Sequence, residues 1–432
     1  MKDLRGKHVT LAGLGKFGGQ IAAAKWLVSQ GAKVLVTDRA PAEKLAESVN
    51  ELAGLPIEFR LGEHRMEDFT GADLIVASPA IPPHNEFLAA ARAAGVPSTT
   101  EIRLFIERCP ARIVGVTGTK GKSTTTALLG RMLATKFTTH VGGNIGRPLL
   151  LELNGITRDD LVVLELSSFM LEYLREMNWS PHVAVMTMLA VDHVDWHGSA
   201  EAYLDAKKQL LKHQGGDDIA VLPEGQPHTA ELAGVTRARV IYYGLKGRRF
   251  ELTIPGWHNQ FNCQAAFAAA AAMGVTFEQA QEAVRDFPGL PHRLQLVHDS
   301  DGVRWFNDSI ATIPEAAIAA LESFPARTVL HIVGGSDKGL PFTALAGALC
   351  EKAKAALAIG ATGGTIAALI AESPTHACCP AYECHDLATA VTMAKQIATA
   401  GDVVLLSPGC ASYDQFSNFQ QRGERFAELA RW

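Results

Sequence analysis

The run Gly115-Val-Thr-Gly-Thr-Lys-Gly-Lys-Ser-Thr124 places a glycine-rich turn directly behind the apolar stretch Ile113 to Val116. A buried strand that empties through such a turn into a helix start aims backbone N–H groups and the positive end of the helix dipole at one point, which suits phosphate. The Lys122-Ser123 pair adds a cation for phosphate oxygens and a hydroxyl for Mg2+. The segment therefore reads as a nucleoside triphosphate cradle made of Gly118, Thr119, Lys120, Gly121, Lys122, Ser123 and Thr124. The strict P-loop spacing is not met. Val116 stands where the first glycine of G-x-x-x-x-G-K-[ST] belongs, so the loop is a variant that opens at Thr117-Gly118.

Short apolar strands alternate with Ala- and Leu-rich helical stretches along the whole chain. The strands run His8 to Ala12, Lys33 to Thr37 and Leu74 to Ser78, then Ile113 to Thr117, Val162 to Glu165 and Val183 to Thr187. After a break at Phe287-Pro-Gly-Leu-Pro291 come Val303 to Asn307, Val329 to Val333, Ala356 to Ile359 and Val403 to Ser407. This alternation predicts an α/β fold with parallel sheets. At 432 residues the chain exceeds what one core supports. Three domains in series are expected: a Rossmann-like domain over 1–97, a central P-loop ATPase-like domain over 98–290, and a C-terminal Rossmann-like domain over 291–432.

Composition excludes several function classes. The 40 basic and 45 acidic side chains are well mixed, leaving a net charge of −5 and no field for nucleic acid or an anionic membrane surface. No apolar run reaches the roughly 20 residues of a membrane span, and the N-terminus does not resemble a signal peptide, so a cytoplasmic protein is expected. Seven scattered cysteines fit reduced thiols. The group His376, Cys378, Cys379, Cys384 and His385 lacks the paired spacing of a structural zinc site.

A second nucleotide loop lies near the N-terminus. Gly13-Leu-Gly15-Lys-Phe-Gly18 follows a strand, and Asp38 ends the next strand 20 residues after the last glycine, which completes a dinucleotide fingerprint. Alone it indicates an NAD-dependent oxidoreductase with Asp38 on a ribose hydroxyl. A pyrophosphate-bearing substrate such as a UDP-sugar suits the same loop, with Thr37, Asp38 and Arg39 near uridine or phosphate, and the triphosphate cradle a hundred residues later favours this second use. Further polar groups collect at strand ends, where open α/β sheets bind ligands. Glu165 is a candidate Mg2+ ligand, and His193 of Asp192-His-Val-Asp-Trp-His197 a second metal or phosphate group. Asn307-Asp308-Ser309, Gly334-Gly-Ser-Asp-Lys338 and Ser407 to Asp414 give the third domain a ligand face on which Lys338 and Ser412 suit a small amino acid.

In their order along the chain, TGTKGKST, LELSSF, DHVD, HNQFN, GLPHR, NDS, GGSDKG and SPGCASYDQFSNFQQRG resemble the ATP-dependent Mur ligases, over essentially everything from Gly13 to Phe426. The C-terminal block is most similar to the glutamate-adding branch. The resemblance implies a monomeric enzyme of cytoplasmic peptidoglycan precursor synthesis. In that chemistry ATP phosphorylates the carboxylate of UDP-N-acetylmuramoyl-L-alanine, and the amine of D-glutamate displaces phosphate from the acyl phosphate. It implies that Lys122 steadies the β- and γ-phosphates, that Ser123 and Glu165 hold one Mg2+, and that His193 serves a second, supported by a carbamylated Lys207. It also implies Asn262, Arg293 and Asp308 around ATP, and Leu14, Gly15, Lys16, Thr37, Asp38, Arg39, Ser78 and Asn144 around the UDP-substrate. Thr312, Lys338, Ser412 and Phe419 would surround glutamate. Arg293 and Asp308 belong to the third domain and the P-loop to the second, so closure is expected to assemble the site.

The chain departs from the family in two places. The family's usual Asn-Asp-Ser-Lys-Ala-Thr-Asn is here Asn307-Asp308-Ser309-Ile310-Ala311-Thr312-Ile313, and Met170 replaces the usual Gln after LELSSF. Loss of a cation and an amide beside the glutamate pocket leaves L-glutamate as an alternative amino acid. Besides the oxidoreductase, a non-catalytic nucleotide-binding regulator is the competing class. It requires damaged phosphate or metal residues, whereas Lys122, Ser123, Glu165, His193 and Asp308 are all present.

Overall fold

Nearly every strand at the centre of a sheet in this protein is an uninterrupted apolar run, as strands covered by helices on both faces must be. A computed structural model describes residues 3–15, 18–373 and 379–431, so Lys16 of the first loop and His376 and Cys378 of the Cys/His group lie outside the described residues. The first sheet contains β1 (His8–Ala12), β2 (Lys33–Asp38), β3 (Ile57–Leu61), β4 (Leu74–Ala77) and β5 (Ser98–Thr99) in the order β3-β2-β1-β4-β5. The second contains β6 (Arg112–Thr117), β7 (Thr139–Gly143), β8 (Leu161–Glu165), β9 (Val183–Met186), β10 (Ile219–Pro223) and β11 (Arg239–Tyr243) in the order β11-β10-β9-β6-β8-β7. All pairings in both are parallel.

The third sheet contains β12 (Gln295–Ser300), β13 (Val303–Asn307), β14 (Val329–Val333), β15 (Ala355–Ile359), β16 (Ala381–His385) and β17 (Val403–Leu406) in the order β12-β13-β17-β14-β15-β16. Its one antiparallel pair is β12 with β13, across the two-residue turn Asp301-Gly302. Both turn residues have positive φ, 53° and 75°, as a tight hairpin with right-handed strand twist requires.

Two compact units result. One holds the residues up to Arg248 together with Phe261–Ala280, and so the first two sheets; the other holds Arg249–Gln260 and Gln281 onward, with the third sheet. The first two sheets share a unit because one apolar core runs through both, including Leu27, Val36, Phe105, Leu150 and Leu164. β5 also carries the first sheet two residues beyond Pro97, pairing with β4 at Ile75–Ser98 and Val76–Thr99. Among the described residues no helix is long and apolar enough to cross a membrane.

In the second unit, the loops after β13 and β17 are tied by Arg422, on the helix Phe419–Arg431. Its side chain is 1 % exposed and donates to Ser309 Oγ (2.9 Å), Ser309 O (2.9 Å), Cys410 O (3.1 Å) and Ala411 O (3.2 Å). Burial lowers its pKa to about 10, which leaves it cationic at neutral pH. Arg422→Met strands these buried acceptors, so urea unfolding should show the second unit destabilised by at least about 2 kcal/mol.

Candidate active site

β6 opens into the loop Gly118–Gly121, which starts the helix Lys122–Ala134. The two glycines are required by space as well as by angle. Gly118 has φ +150°, and a Cβ there lies 1.9 Å from Thr187 Oγ1; Gly121 has φ +86°, and a Cβ there lies 2.2 Å from Asn262 Oδ1. Thr187 Oγ1, just past the end of β9, is 2.7 Å from the carbonyl of Lys120 and 3.1 Å from that of Thr117. Thr119 donates to Ala190 O (2.9 Å) and accepts from the Tyr203 hydroxyl (2.8 Å) and Ala190 N (3.0 Å). Lys122 Nζ folds back onto Thr119 O at 2.9 Å. Lys120 is exposed, and Ser123 is half-buried in the first turn of the helix, where backbone N–H groups point outward along the axis.

Glu165 ends β8 next to this loop, 1 % exposed. Its Oε1 accepts from Asn144 Nδ2 at 3.0 Å, while Oε2 is buried with no hydrogen-bond partner. An unpartnered buried carboxylate oxygen is costly unless something else satisfies it. Lys207, on the helix Ala200–Lys212, is 2 % exposed; its Nζ donates to Gly118 O at 2.7 Å and sits 4.6 Å from the centre of the Tyr203 ring. Burial, then the charge of Lys122, lowers its pKa to about 7 against the opposing pull of Asp192 and Glu165. His193 is exposed in a left-handed conformation (φ 49°), 3.8 Å from Asp192 Oδ2, with its ring tilted against that of Phe169 at 4.8 Å. Lys122, Asn144, Ser168, Asp192, His193 and Lys207 are among the residues lining one cavity of about 120 Å³.

At the strand ends of the first sheet, the Asp38 carboxylate accepts from Gly15 N (3.1 Å) and Ala40 N (2.8 Å), holding the glycine loop to the end of β2. Leu14 is in the core, and the buried Thr37 pairs through its hydroxyl with His64 Nδ1 at 2.9 Å and through its carbonyl with Gly13 N at 2.8 Å. Arg39 is exposed and paired with Glu86 at 3.1 Å. Ser78, just past β4, is within 3.0 Å of a Cβ built on Gly13.

In the second unit, Asp308 is turned inward and 6 % exposed. It accepts from Ser407 Oγ (2.7 Å) and Leu294 N (3.1 Å), thereby fixing the turn that carries Arg293. Burial raises its pKa to about 7. Thr312, Lys338, Ser412 and Phe419 all lie on loops or a helix start at the strand ends of the third sheet, with Lys338 exposed and Ser412 buried. Ile310 is half-buried and Ile313 is 42 % exposed.

Sequence reasoning overlooked Thr187 and Tyr203. Thr187 ends a strand it had recognised, and Tyr203 stands four residues before Lys207, a spacing that puts both on one helix face.

The fold and the site together define a P-loop nucleotide enzyme whose buried carboxylate and buried amine lie beside the phosphate loop at the strand ends of a parallel sheet. Family models match along most of the chain: a MurD-like N-terminal domain over residues 7–100, the Mur ligase middle domain over 116–254 and the Mur ligase glutamate ligase domain over 292–410. The chain is 42 % identical to a UDP-N-acetylmuramoylalanine–D-glutamate ligase of Roseiflexus sp. (strain RS-1), covering 99 % of each. It is 38 % identical to a ligase of the same name from Symbiobacterium thermophilum, covering 95 % of each. In fold it is similar to the Thermotoga maritima UDP-N-acetylmuramate-alanine ligase MurC, at 21 % identity and a TM-score of 0.63 over 98 % of this chain and 99 % of that one. It is also similar to the MurF ligase of the same organism in complex with ADP, at 18 % identity and a TM-score of 0.56 over 99 % and 95 %. The chain belongs to the Mur ligase family.

Two outcomes follow from this geometry. Gly118→Ala forces the loop away from Thr187, and calorimetric titration should show ATP affinity reduced at least about tenfold, equivalent to about 1.4 kcal/mol. Lys207 binds its proton below about pH 7 when folded and below 10.5 when unfolded, so the unfolded chain holds more protons between those values. Stability in CO2-free buffer should therefore rise as pH increases from about 7 towards 10.5, and Lys207→Met should flatten that rise in denaturant titrations.

Proposed function

We propose that this protein joins D-glutamate to UDP-N-acetylmuramoyl-L-alanine at the expense of ATP, through an acyl phosphate. The observation that carries the proposal is the pairing of a phosphate loop with a buried, unpartnered carboxylate oxygen on Glu165 and a buried amine on Lys207. The names of the full-length relatives support the substrates.

A carboxylate is a poor electrophile. Transfer of the γ-phosphoryl group to its oxygen releases ADP and creates a leaving group; the glutamate amine then attacks the carbonyl carbon, the C–O bond to phosphate breaks, and the amine loses a proton. The loop N–H groups and Lys122 hold the β- and γ-phosphates in line. Asn262, Arg293 and Asp308 are assigned to ATP. Leu14, Gly15, Lys16, Thr37, Asp38, Arg39, Ser78 and Asn144 are assigned to the UDP-substrate. Thr312, Lys338, Ser412 and Phe419 are assigned to glutamate.

The donor set suits Mg2+. Glu165 Oε2, buried with no hydrogen-bond partner, would accept a cation, Ser123 offers a hydroxyl at the helix start, and His193 offers an imidazole at the cavity. Bound Mg2+ neutralises charge that develops on the phosphoryl oxygens. Ions at a triphosphate site would be held partly by phosphate oxygens, with one or two protein carboxylates completing the set. Lys207 is suited to carbamylation because an amine with a pKa near 7 is largely neutral at slightly alkaline pH and so can attack CO2, becoming an anion near His193. We place the reaction in the cytoplasm, where ATP is available.

The alternative amino acid is L-glutamate: Ile310 and Ile313 stand where the family carries a cation and an amide beside the glutamate pocket, a change that bears on affinity and stereochemical preference. Phosphate release with ATP, Mg2+ and UDP-N-acetylmuramoyl-L-alanine separates the cases. Stimulation by D-glutamate alone is expected, stimulation by L-glutamate alone moves the assignment to the other enantiomer, and stimulation by neither overturns the ligase assignment. With 13C-bicarbonate, a carbamate resonance should appear in the intact protein and vanish in Lys207→Ala.

A further inference from the structure

The loop Ser78–Pro82 connects the first sheet to the ATP-type centre of the second. On one side it packs over the N-terminal glycine loop: a Cβ on Gly13 lies 3.0 Å from Ser78 Cβ and 3.2 Å from Ile81 Cδ1. On the other, two aromatic side chains of the central sheet's surroundings donate to its carbonyls, Trp196 Nε1 to Ala80 O at 3.0 Å and Tyr173 Oη to Ile81 O at 2.6 Å. Tyr173 is largely buried, and Trp196 is half-buried.

Trp196 is also part of an aromatic cluster that leads to the phosphate loop. Its ring is 4.7 Å from Phe169 and 4.5 Å from His197; Phe169 in turn is 4.8 Å from His193, and His197 lies 5.4 Å from Tyr203. Tyr203 donates to Thr119 at 2.8 Å inside the loop itself. His197 is anchored to Ser168 at 3.0 Å, three residues past Glu165. The short helix Val194–His197 that carries Trp196 starts from His193, whose left-handed backbone is an uncommon state for a residue with a side chain. His193 is held locally by Asp192 Oδ1 on its N–H and by the helix N–H groups of Trp196 and His197 on its carbonyl, and the other end of the same short helix grips Ala80.

We infer that Trp196 and Tyr173 are positioning residues that couple occupancy of the first-sheet nucleotide site to the placement of His193, so that the UDP-substrate and Mg2+-nucleotide bind cooperatively. A ligand on the glycine loop braces Ser78 and Ile81, the braced loop fixes Trp196, and Trp196 fixes the segment bearing His193. By reciprocity, ordering of His193 by Mg2+-nucleotide tightens the first site by the same factor.

This rests on the ligase proposal above, and direct binding separates the two. Calorimetry would measure UDP-N-acetylmuramoyl-L-alanine affinity with and without a Mg2+-bound non-hydrolysable ATP analogue, in wild type, Trp196→Phe and Tyr173→Phe. Each variant keeps a ring and removes one donor. In wild type the analogue should tighten the UDP-substrate at least about fivefold, within the usual range of coupling between sites. In Trp196→Phe that factor should fall below about twofold while each ligand alone binds within about threefold of wild type, and Tyr173→Phe should reduce it similarly. A merely structural role would lower thermal stability and leave the coupling factor intact. Equal coupling in wild type and both variants, or none in wild type, overturns the inference. Failure of wild type to bind the UDP-substrate at all overturns the ligase proposal and the inference with it. Should Trp196→Phe fold poorly, Tyr173→Phe decides the matter alone.

Discussion

The phosphate loop exists because two Cβ atoms are missing. Thr187 reaches into the space beside Gly118 to touch the carbonyls of Lys120 and Thr117, and Asn262 fills the space beside Gly121. The loop is held by what its glycines admit more than by its own turn chemistry. Lys207 donating to Gly118 O and Tyr203 donating to Thr119 add two more contacts from a single helix. The cradle is therefore a joint product of β6, the end of β9, the helix Ala200–Lys212 and the helix Trp257–Ala272. Preorganisation of this kind removes the cost of arranging backbone dipoles at the moment of phosphoryl transfer.

Buried charge is placed where it is useful and expensive. Glu165 and Lys207 are both nearly inaccessible, and neither has a salt bridge among the described residues. Each instead has a partial hydrogen-bond set that leaves capacity unused: Oε2 of Glu165 has no partner, and the Lys207 amine has one carbonyl. A protein selected only for stability would replace both with apolar groups of similar volume. Strained or under-satisfied groups that persist in a packed interior are a mark of a functional site.

How much of this was legible in the sequence depended on burial. The strands read correctly, β1, β2 and β4, then β6, β8 and β9, then β13, β14, β15 and β17, occupy the middle of their sheets, where both faces are covered and the sequence is a plain apolar run. The strands missed were mostly edges. β3, β7, β11, β12 and β16 are only partly buried, with residues such as Glu58, Arg60, His140 and Glu383 among their apolar positions, and β5 is two residues long. β10 is the exception, a buried run cut short by Pro223. Glycine loops and strand-end carboxylates were legible because their chemistry is local. Thr187, Tyr203 and Trp196 were not, since each gains its role from a residue far along the chain: Lys120, Thr119 and Ala80.

Arg422 has a consequence beyond holding loops together. Its guanidinium is enclosed by the carbonyls of Ser309, Cys410 and Ala411 and the Ser309 hydroxyl, dipoles that satisfy its hydrogen atoms without cancelling its charge. A full positive charge thus sits beneath the strand-end loops of the third sheet, in a medium of low polarisability that solvent ions cannot enter. Surface cations lose their reach at physiological salt within about 8 Å, whereas a buried one is screened much less. The loops bearing Thr312 and Ser412 therefore lie over a fixed cation whose contribution to the local potential, set against that of Asp414, persists at high ionic strength.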